Sequence, residues 1–407
     1  MLSSLGFHTI TLSLRLLHSE AVLLISDFKR YSEKYGLIQI YQIDETGCHV
    51  KYNPNNNSIS RRLKITYLHN YTGITWYINF YDKNKDYKIY TVEAKINPKI
   101  LSGVTDYLTA ATLNDLNIAI INFNQEAKRI SSILQEFRFY NLIRLDYCIN
   151  FSLNELFPTC DAKQIITLIQ KSHIPKRYKL YKEYDNIAHR TKPKPGSFYI
   201  YNDSITINCY SKYIQLLNLS VKNVKRGRPP VPEETLNKAK DIIRFEVQCH
   251  YPKAYTLSHR FDELNLYYAH KFLALFTRDK CKEMITYYFN KIIGNGDWCS
   301  LSYAIAKIKL QNYNSQKENR LIETLKSINR CRSVCQASQH YTDKDYDRFL
   351  CTLNELNQIN INPVTIPQHW GIKQIPNLLN TYFEKEALTS LDIESSPWVN
   401  VTPIKQF

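Results

Sequence analysis

The sequence predicts an α+β fold, in which a central antiparallel β-sheet with flanking helices is followed by a mostly helical C-terminal region. Segments that alternate apolar and polar residues, the period of a half-buried strand, dominate residues 1–255. From about Tyr255 onward the apolar residues instead recur at helical spacing, as in LNLYYAHKFLALF and KENRLIETLKSINR. We therefore divide the chain into residues 1–255 and 256–407.

The first hundred residues predict strands around one helix. The N-terminal segment MLSSLGFHTITLSLRLLHSE is typical of a strand, and it lacks the basic-then-apolar layout of a signal peptide. A helix is expected from about Ala21 to Tyr35, ending before Gly36. Further strands are predicted at LIQIYQI, RRLKITYLH, ITWYINFY and YKIYTVEAKI.

Helices and strands alternate in the middle of the chain. Helices are predicted at about 114–137 and 161–172, and strands at IRLDYCINF, FYIYN, SITINCYSKY and IRFEVQCHY. The Asn202-Asp203 pair predicts a turn that folds FYIYN and SITINCYSKY into a hairpin. The basic segment 220–241 contains prolines, so we expect an exposed excursion there.

The composition favours a soluble intracellular protein with a polyanionic partner. The 407 residues are 44% hydrophobic, and no run approaches the roughly 20 apolar residues of a membrane span. Lysine and arginine total 53 against 37 acidic residues, which gives a net charge of +16. This charge favours nucleic acid first and a membrane surface second, and the competing interpretation is a merely basic soluble protein. Because no segment is clearly a basic amphipathic helix, we expect no membrane partner.

The ten cysteines do not have the spacing of metal ligands. Cys331 and Cys335 lie closest together, and no CxxC motif accompanies them. A disulfide framework does not suit an intracellular chain. We expect the cysteines to be small buried hydrophobic residues.

Two segments a hundred residues apart repeat one charged pattern. IRLDYCINF, at 143–151, carries Arg144 and Asp146, and IRFEVQCHY, at 243–251, carries Arg244 and Glu246. Residues two apart on a strand share a face, so each strand is expected to present an arginine and a carboxylate together.

The strand ITINCYSKY lies between the two repeats along the chain. Alternation places Thr206, Asn208, Tyr210 and Lys212 on one face of it. If the three strands are neighbours in one sheet, their polar faces merge. The merged face would hold two carboxylates, two arginines, a tyrosine and a lysine.

These groups suit the cleavage of a phosphodiester. Two carboxylates can hold Mg²⁺ or Mn²⁺, and such a cation offsets the charge that develops at phosphorus. A tyrosine near cations can act as a nucleophile and form a phosphotyrosyl ester, which conserves the bond for religation. The competing interpretation is a surface salt bridge on each strand and one structural tyrosine among 31.

The same motifs carry a family resemblance. The chain resembles the filamentous-phage gene II/X replication protein family and, more distantly, the rolling-circle plasmid replication initiators. These proteins share an Arg-x-Asp strand, a Tyr-x-Lys strand and an Arg-Phe-Glu strand in that order. The matching segments are VEAKINPKILSG (92–103), IRLDYCINF, FYIYNDSITINCYSKYIQLL and IIRFEVQCHYPKAYTL. The similarity covers most of the chain, although the helical C-terminal region matches only loosely.

The resemblance implies a replication initiation protein whose catalytic nicking domain is residues 1–255. It would cut one strand of a supercoiled origin, stay joined to the 5′ end through tyrosine, and religate the strand. Tyr210 would be the nucleophile, and the metal ligands would be Asp146 and Glu246. The phosphate contacts would be Lys212, Arg144 and Arg244. The implied partners are duplex and single-stranded DNA, a host helicase and a polymerase, in the cytoplasm of a bacterial host.

The metal ligands depart from a common pattern of the rolling-circle enzymes. Many of those proteins hold the metal with a His-x-His pair, and none of the 11 histidines here forms one. The chain must therefore use carboxylates or bind no catalytic metal. His250 and His8 remain open as further ligands. Tyr213, on the opposite face of an extended strand from Tyr210, is expected to be structural.

The segment KRGRPP, at 225–230, contains the Arg-Gly-Arg-Pro core of a minor-groove hook. Its basic residues Lys225, Arg226 and Arg228 are candidates for DNA binding, and a solvated basic loop is the alternative. The helices of residues 256–407 could read duplex DNA, cap the sheet or form a homo-oligomer.

Three functions remain open from the sequence. The first is an origin-specific, metal-dependent nickase and ligase for rolling-circle replication. The second is a mobilisation relaxase of an integrative element, which would use the same chemistry. The third is a non-catalytic DNA-binding regulator with the same fold and charge.

Overall fold

The structure is a computed structural model that describes residues 3–43, 49–51, 62–67, 72–84, 87–104, 108–185, 190–193, 196–225, 229–259 and 268–389. It confirms the α+β class, because a large antiparallel sheet with flanking helices is followed by a mostly helical C-terminal region. No helix in these ranges has both the length and the apolar character needed to cross a membrane.

The described strands are β1 (Ser4–Leu16), β2 (Ile38–Ile43), β3 (His49–Lys51), β4 (Arg62–Tyr67), β5 (Ile74–Asn84), β6 (Tyr87–Ile96), β7 (Asn141–Ser152), β8 (Lys179–Leu180), β9 (Lys182–Asp185), β10 (Arg190–Pro193), β11 (Ser197–Tyr201), β12 (Ile205–Ser211), β13 (Ile242–His250), β14 (Trp298–Cys299) and β15 (Gln374–Ile375).

The described helices are α1 (His18–Tyr35), α2 (Pro98–Leu101), α3 (Leu113–Ile130), α4 (Leu153–Leu156), α5 (Ala162–Ile169), α6 (Lys212–Lys225), α7 (Glu233–Ala239), α8 (Tyr251–His259), α9 (Arg278–Ile292), α10 (Leu301–Lys309), α11 (Ser315–Cys331), α12 (Val334–Ser338), α13 (Asp343–Gln358) and α14 (Leu378–Thr389). Single 3₁₀ segments lie at Phe137–Phe139, Tyr268–Leu275 and Gln368–Trp370.

The main sheet has eleven strands within the described residues, in the order β3-β2-β4-β5-β6-β1-β7-β13-β12-β11-β8. All neighbouring strands in it are antiparallel. The predicted hairpin is confirmed, because β11 pairs with β12 and Asn202 Oδ1 accepts hydrogen bonds from the backbone N–H groups of Ser204 and Ile205. The two strands that repeat the charged pattern, β7 and β13, are direct neighbours near the centre of the sheet.

The apolar face of the central strands packs against the helical C-terminal region. The ring of Phe289, on α9, lies 5.9 Å from that of Phe151 and 5.3 Å from that of Phe245. Tyr147 OH donates a hydrogen bond to the carbonyl of Leu275. The opposite face of β7 and β13 is therefore the one left for polar groups. The division at residue 255 stays a prediction.

Two predicted helices end earlier than expected. α3 stops at Ile130 rather than near 137, because Ser131 is extended (φ −161°, ψ 145°) and the buried Phe137 folds back onto Phe123. α5 stops at Ile169 rather than near 172. The patterns there continued at helical spacing because the residues beyond each end are buried in the same core.

Most described residues of 220–241 are exposed, as expected, but the segment is helical at both ends. α6 extends to Lys225, and α7 occupies Glu233–Ala239. Between them, Val231 is buried and its N–H donates to Ser220 Oγ, so the chain is tied back to α6.

The cysteines follow the expectation of burial only in part. Six described cysteines are buried: Cys148, Cys160, Cys209, Cys249, Cys281 and Cys299. Cys331 and Cys335 are half-buried and Cys351 is exposed, because these three lie on outer helices of the C-terminal region.

Candidate active site

The three strands predicted to carry polar faces lie side by side, in the order β7-β13-β12. Gln248 of β13 lies opposite Asp146 of β7, and Arg244 of β13 lies opposite Tyr210 of β12. Glu246 lies between Arg244 and Gln248 on the same face. Since opposite residues of antiparallel strands point to the same side, the carboxylates and the tyrosine share one face, as predicted.

β1 adds a residue to this face through a bulge. The register of β1 against β7 shifts between Phe7 and Ile10, which marks a β-bulge. His8 lies in this bulge, with Nδ1 3.2 Å from Glu246 Oε1 and 3.9 Å from Asp146 Oδ2. His8, left open by the sequence, is therefore brought to both carboxylates.

The segment 108–112 covers part of the polar face. Arg244 Nη2 donates to the carbonyl of Thr109, and Phe7 exchanges two backbone hydrogen bonds with Ala111. Gly6 permits this approach, because a Cβ atom there would lie only 2.0 Å from the carbonyl oxygen of Ala111. The site is consequently partly closed in this conformation.

Tyr210 is joined directly to one carboxylate. Its hydroxyl donates a hydrogen bond of 2.7 Å to Glu246 Oε1, and Gln248 Nε2 donates to Glu246 Oε2. Tyr210 is 8% exposed and Glu246 is 2% exposed. Glu246 thus accepts the hydrogen bond of the phenol, and Gln248 holds its other carboxylate oxygen in place.

Asp146 is bound by Arg144 of the same strand. Arg144 donates from Nε to Oδ1 and from Nη2 to Oδ2, both at 2.7 Å. This bidentate geometry is the strong form of the arginine–carboxylate pair. Asp146 is fully buried, whereas the side chain of Arg144 is 27% exposed.

Arg244 is buried behind the tyrosine. Its Nε donates to Asn150 Oδ1 at 2.6 Å, and its Nη1 lies 3.9 Å from Glu246 Oε1. Alternation in the sequence places Asn150 on the same face of β7 as Asp146, but it assigned Asn150 no role. Its amide fixes the guanidinium beside the reacting groups.

The environment keeps Tyr210 protonated and Glu246 ionised. Burial and the neighbouring Glu246 charge raise the pKa of Tyr210 well above its usual value. Burial alone would raise the pKa of Glu246, but His8, Arg244 and the hydrogen bond from Tyr210 hold it below the usual range. The hydrogen bond is therefore one from a phenol to a carboxylate.

Burial has the largest effect on the pKa values of Asp146 and His8. Burial raises the pKa of Asp146 to about 6, against the opposing effect of the Arg144 pair. Burial also lowers the pKa of His8 to about 4, despite the favourable charge of Glu246. At neutral pH the imidazole of His8 is uncharged and can act as a ligand or a hydrogen-bond donor.

Lys212 reaches the site from a helix and not from a strand, so its predicted position is wrong. β12 ends at Ser211 and α6 begins at Lys212. The lysine is nevertheless buried, and its Nζ donates to Gln215 Oε1 at 2.7 Å. Its charge lowers the pKa of His8, which places the ammonium within electrostatic range of the site.

Tyr213 belongs to α6 and packs against the apolar cluster around Leu216 and Ile242. The reason given from strand alternation is thus wrong, since the strand has ended. The packing itself agrees with a structural role.

The predicted DNA-binding hook can be placed only at its first residue. Lys225 is exposed at the C-terminal end of α6. Arg226 and Arg228 lie outside the described residues. The hook stays a prediction.

His250 lies at the edge of the polar face. Its Nε2 is 2.9 Å from Thr206 Oγ1, and in the register it lies opposite Arg144. This hydrogen bond explains its fixed position without a metal ligand role.

The fit of the site to a metal ion depends on Arg144. No group of three or more His, Cys, Asp or Glu side chains in the described ranges is arranged to hold a metal ion. Asp146, Glu246 and His8 supply donors suited to a hard cation, but Arg144 binds both oxygens of Asp146. A metal would fit these donors only if Arg144 released Asp146.

Comparisons with known proteins give one similar structure. No protein-family model matches the chain, and no curated protein matches it. The fold is similar to the solved structure of a rolling circle replication initiator protein from Geobacillus stearothermophilus. The TM-score is 0.30 and the identity 12%, over 90% of this chain and 98% of that chain. The resemblance to filamentous-phage replication proteins stays a prediction.

Proposed function

We propose that this protein initiates rolling-circle replication as an origin-specific, single-strand DNA endonuclease that forms a 5′-phosphotyrosyl intermediate and religates the strand. The observation that carries the proposal is the hydrogen bond from Tyr210 to Glu246, on a face that also holds Arg244 and Arg144. The buried Lys212 adds positive charge that acts on the same site. A nucleophile, a proton acceptor and cations are the three parts that phosphoryl transfer needs.

The proposed reaction begins at the phenol of Tyr210. Its oxygen attacks phosphorus and forms a new O–P bond, while the bond from phosphorus to the 3′-oxygen breaks. The phenol proton passes to Glu246, and the leaving 3′-oxygen takes up a proton from solvent. Religation reverses each step, since the 3′-hydroxyl attacks the phosphotyrosyl ester and Tyr210 regains its proton.

The cations around the pair serve the phosphate. The site holds the carboxylates Asp146 and Glu246 and three cationic side chains, so it retains positive charge for a phosphodiester. Arg244 lies behind Tyr210, where it can stabilise both the phenolate and the equatorial phosphate oxygens. The charge of Arg244 also offsets part of the effect by which burial raises the pKa of Tyr210.

Access for a DNA strand requires movement of the segment 108–112. Tyr210 is 8% exposed, and the carbonyl groups of Leu108 and Thr109 bind side chains of the polar face. We place the scissile phosphate between this segment and β12. A single strand is thinner than a duplex, so the proposal expects the origin to be unpaired at the cut.

The proposal includes Mg²⁺ or Mn²⁺, held by Asp146 and Glu246 with His8 as a third ligand. His8 Nδ1 lies 3.2 Å from Glu246 and 3.9 Å from Asp146, near the ligand spacing of about 3 Å in an octahedral magnesium site. When bound, the cation would polarise the phosphodiester and offset its charge. Arg144 would then turn from Asp146 to the phosphate.

A non-catalytic DNA-binding regulator is the second candidate function. The burial of Tyr210 and the saturated hydrogen bonds of Asp146 favour it, because both are features of a structural polar network. A mobilisation relaxase would use the same chemistry at a transfer origin. Host helicase and polymerase, and a homo-oligomer, belong to the proposal as partners.

The deciding experiment uses supercoiled plasmid that carries the replicon encoding this chain. With Mn²⁺ or Mg²⁺, the wild-type protein should convert it to open circles, and denaturing electrophoresis should show protein joined to DNA. Tyr210→Phe should lose cleavage and keep DNA binding, while the matched Tyr213→Phe should retain cleavage. Plasmid that stays supercoiled with every protein would establish the regulator.

The metal is tested by binding rather than by activity. Titration calorimetry with Mn²⁺ should show that Asp146→Asn weakens binding at least about 10-fold, and that Arg144→Gln tightens it. Glu126→Gln, which changes a buried carboxylate elsewhere, is the control and should bind as the wild type does. Wild-type affinity in Asp146→Asn would remove the metal from the proposal.

A further inference from the structure

Two adjoining cavities lie away from the polar face, where α5 meets the C-terminal helices. The first, the basic cavity, has a volume of about 250 Å³ and is lined by Lys171, Asn329, Arg332 and His369 among others. The second, the amide cavity, has a volume of about 270 Å³ and is lined by Ser172, His173, Asn290 and Asn354 among others. Both are lined by Val364, and the chain passes from one to the other between Lys171 and Ser172.

The basic cavity holds two cations that lack an acidic partner among the described residues. Burial, and then the charge of Arg332, lower the pKa of Lys171. Like charges that line one cavity destabilise each other, and an anion bound between them would relieve this. Thr365 Oγ1 donates to Asn329 Oδ1, which leaves the amide group of Asn329 as a donor toward the same cavity.

The backbone holds Arg332 in an unusual conformation. It caps the C-terminal end of α11 with φ of 63°, in the left-handed region that glycine normally occupies there. Its N–H donates to the carbonyl of Asn329. Arginine therefore occupies a C-cap position at which glycine would be less strained.

The amide cavity contains buried polar atoms without partners. Ser172 Oγ and His173 Nδ1 are buried and make no hydrogen bond, and Ser172 is 2% exposed. Burial lowers the pKa of His173, so its ring is neutral at pH 7. The cavity therefore offers uncharged donors and acceptors beside apolar walls, which suits an uncharged polar ring.

We propose that the two cavities form a nucleotide-binding site, in which Lys171 and Arg332 hold a phosphate and the amide cavity receives the base or sugar attached to it. The site is separate from Tyr210, and it does not depend on cleavage. A phosphate of a DNA strand and a free nucleotide share this chemistry, and the experiment distinguishes them.

The test uses the full-length protein and matched charge variants. Titration calorimetry with deoxyadenosine monophosphate, inorganic phosphate and deoxyadenosine should show that the monophosphate binds at least 10-fold tighter than either fragment. Arg332→Gln should weaken the binding of the monophosphate at least 10-fold. Arg330→Gln, which removes the same charge from a residue of α11 that does not line the cavity, should change the affinity less than threefold.

A second pair of variants separates a site from general charge. Lys171→Gln should weaken the binding of the monophosphate as much as Arg332→Gln does. Lys163→Gln, on the exposed side of α5, should leave this binding unchanged. Near-ultraviolet circular dichroism checks that each variant is folded. Equal losses in the cavity variants and their controls, or no binding by the wild type, would overturn the proposal.

A final arm uses a short oligothymidylate in place of the monophosphate. If the oligonucleotide binds tighter than the matching thymidine monophosphate and is weakened by Arg332→Gln, the site takes a unit of a DNA strand. If the oligonucleotide is unaffected by that variant while the monophosphate is weakened, the ligand is a free nucleotide. Both results support a nucleotide site.

Discussion

Among the described residues, buried tyrosines donate hydrogen bonds to Glu246 in one part of the sheet and to Glu126 in another, and the two sites differ in their surroundings. Tyr210 donates to Glu246 at 2.7 Å on the polar face. On the other side of β1, Tyr67 and Tyr31 both donate to Glu126 at 2.8 Å. In each pair the burial of the tyrosine raises its pKa, so proximity of a carboxylate alone does not make a tyrosine reactive.

The cations distinguish the two pairs. Glu246 has the buried Arg244 at 3.9 Å, and Lys212 and Arg144 act on the same site. Glu126 has Arg129 at 3.6 Å, but the side chain of Arg129 is 69% exposed and its charge is screened by water. Buried positive charge beside one pair and not the other is the difference that we connect with phosphate chemistry.

The largest expected effect comes from removing the proton acceptor. Glu246→Gln keeps the shape and can still accept from Tyr210, but it takes up the phenol proton poorly. Plasmid cleavage should fall about 10²–10³-fold. Glu126→Gln, the matched change in the other pair, should alter the cleavage rate less than about threefold, the ordinary effect of a remote change.

This comparison fails if the two variants cleave equally. Equal loss would mean that both carboxylates act through stability, and equal activity would mean that Glu246 does not accept the proton. Thermal denaturation of both proteins separates these outcomes.

A smaller effect is expected from the arginine partners. Arg144→Gln leaves Asp146 buried without its charge partner, which should lower the free energy of unfolding by about 2–4 kcal/mol. Arg129→Gln removes an exposed partner of Glu126 and should cost less than about 1 kcal/mol. Urea denaturation measures both, and a cost in Arg129→Gln as large as in Arg144→Gln would contradict the assignment.

The smallest effect is the pH dependence due to His8, measured in EDTA. Its pKa is about 4 in the folded protein and 6.5 in the unfolded chain, so between these values the unfolded state binds more protons. The contribution of His8 to stability therefore falls as the pH drops from 6.5 toward 4. The His8→Gln protein should lose about 1 kcal/mol less of its free energy of unfolding over this range than the wild type loses. The difference is this small because water screens the partly exposed ring.

The comparison is made against wild type at each pH. A difference that stays constant from pH 7 to pH 4 would show that the pKa of His8 is not lowered in the folded protein.

Alternation predicted the polar face well, because β7 and β13 run straight through the sheet. Asp146, Arg144, Glu246 and Arg244 all lie where a period of two places them. The same rule failed at Lys212, since nothing in the apolar pattern marks the change from β12 to α6 at Ser211. The lysine is close to the site because the helix begins at the edge of the polar face.

The sequence left His8 open as a ligand, and its position beside Asp146 and Glu246 depends on a bulge in β1 that the alternating period does not show. Without the bulge, Ile10 would share the polar face with Gly6, whereas it lies opposite Leu145 on the apolar side. A bulge depends on pairing with β7, more than a hundred residues away. The cavities by α5 were equally hidden, since Lys171 and Arg332 meet only when distant helices pack.

Cleavage should leave Tyr210 covalently joined to DNA. The direct measurement is mass spectrometry of the protein recovered from cleaved replicon plasmid, after nuclease digestion reduces the DNA to a nucleotide remnant. The remnant should be a 5′-phosphate ester on Tyr210. A remnant on Tyr213 or another residue, or cleaved DNA with no remnant on the protein, would contradict it.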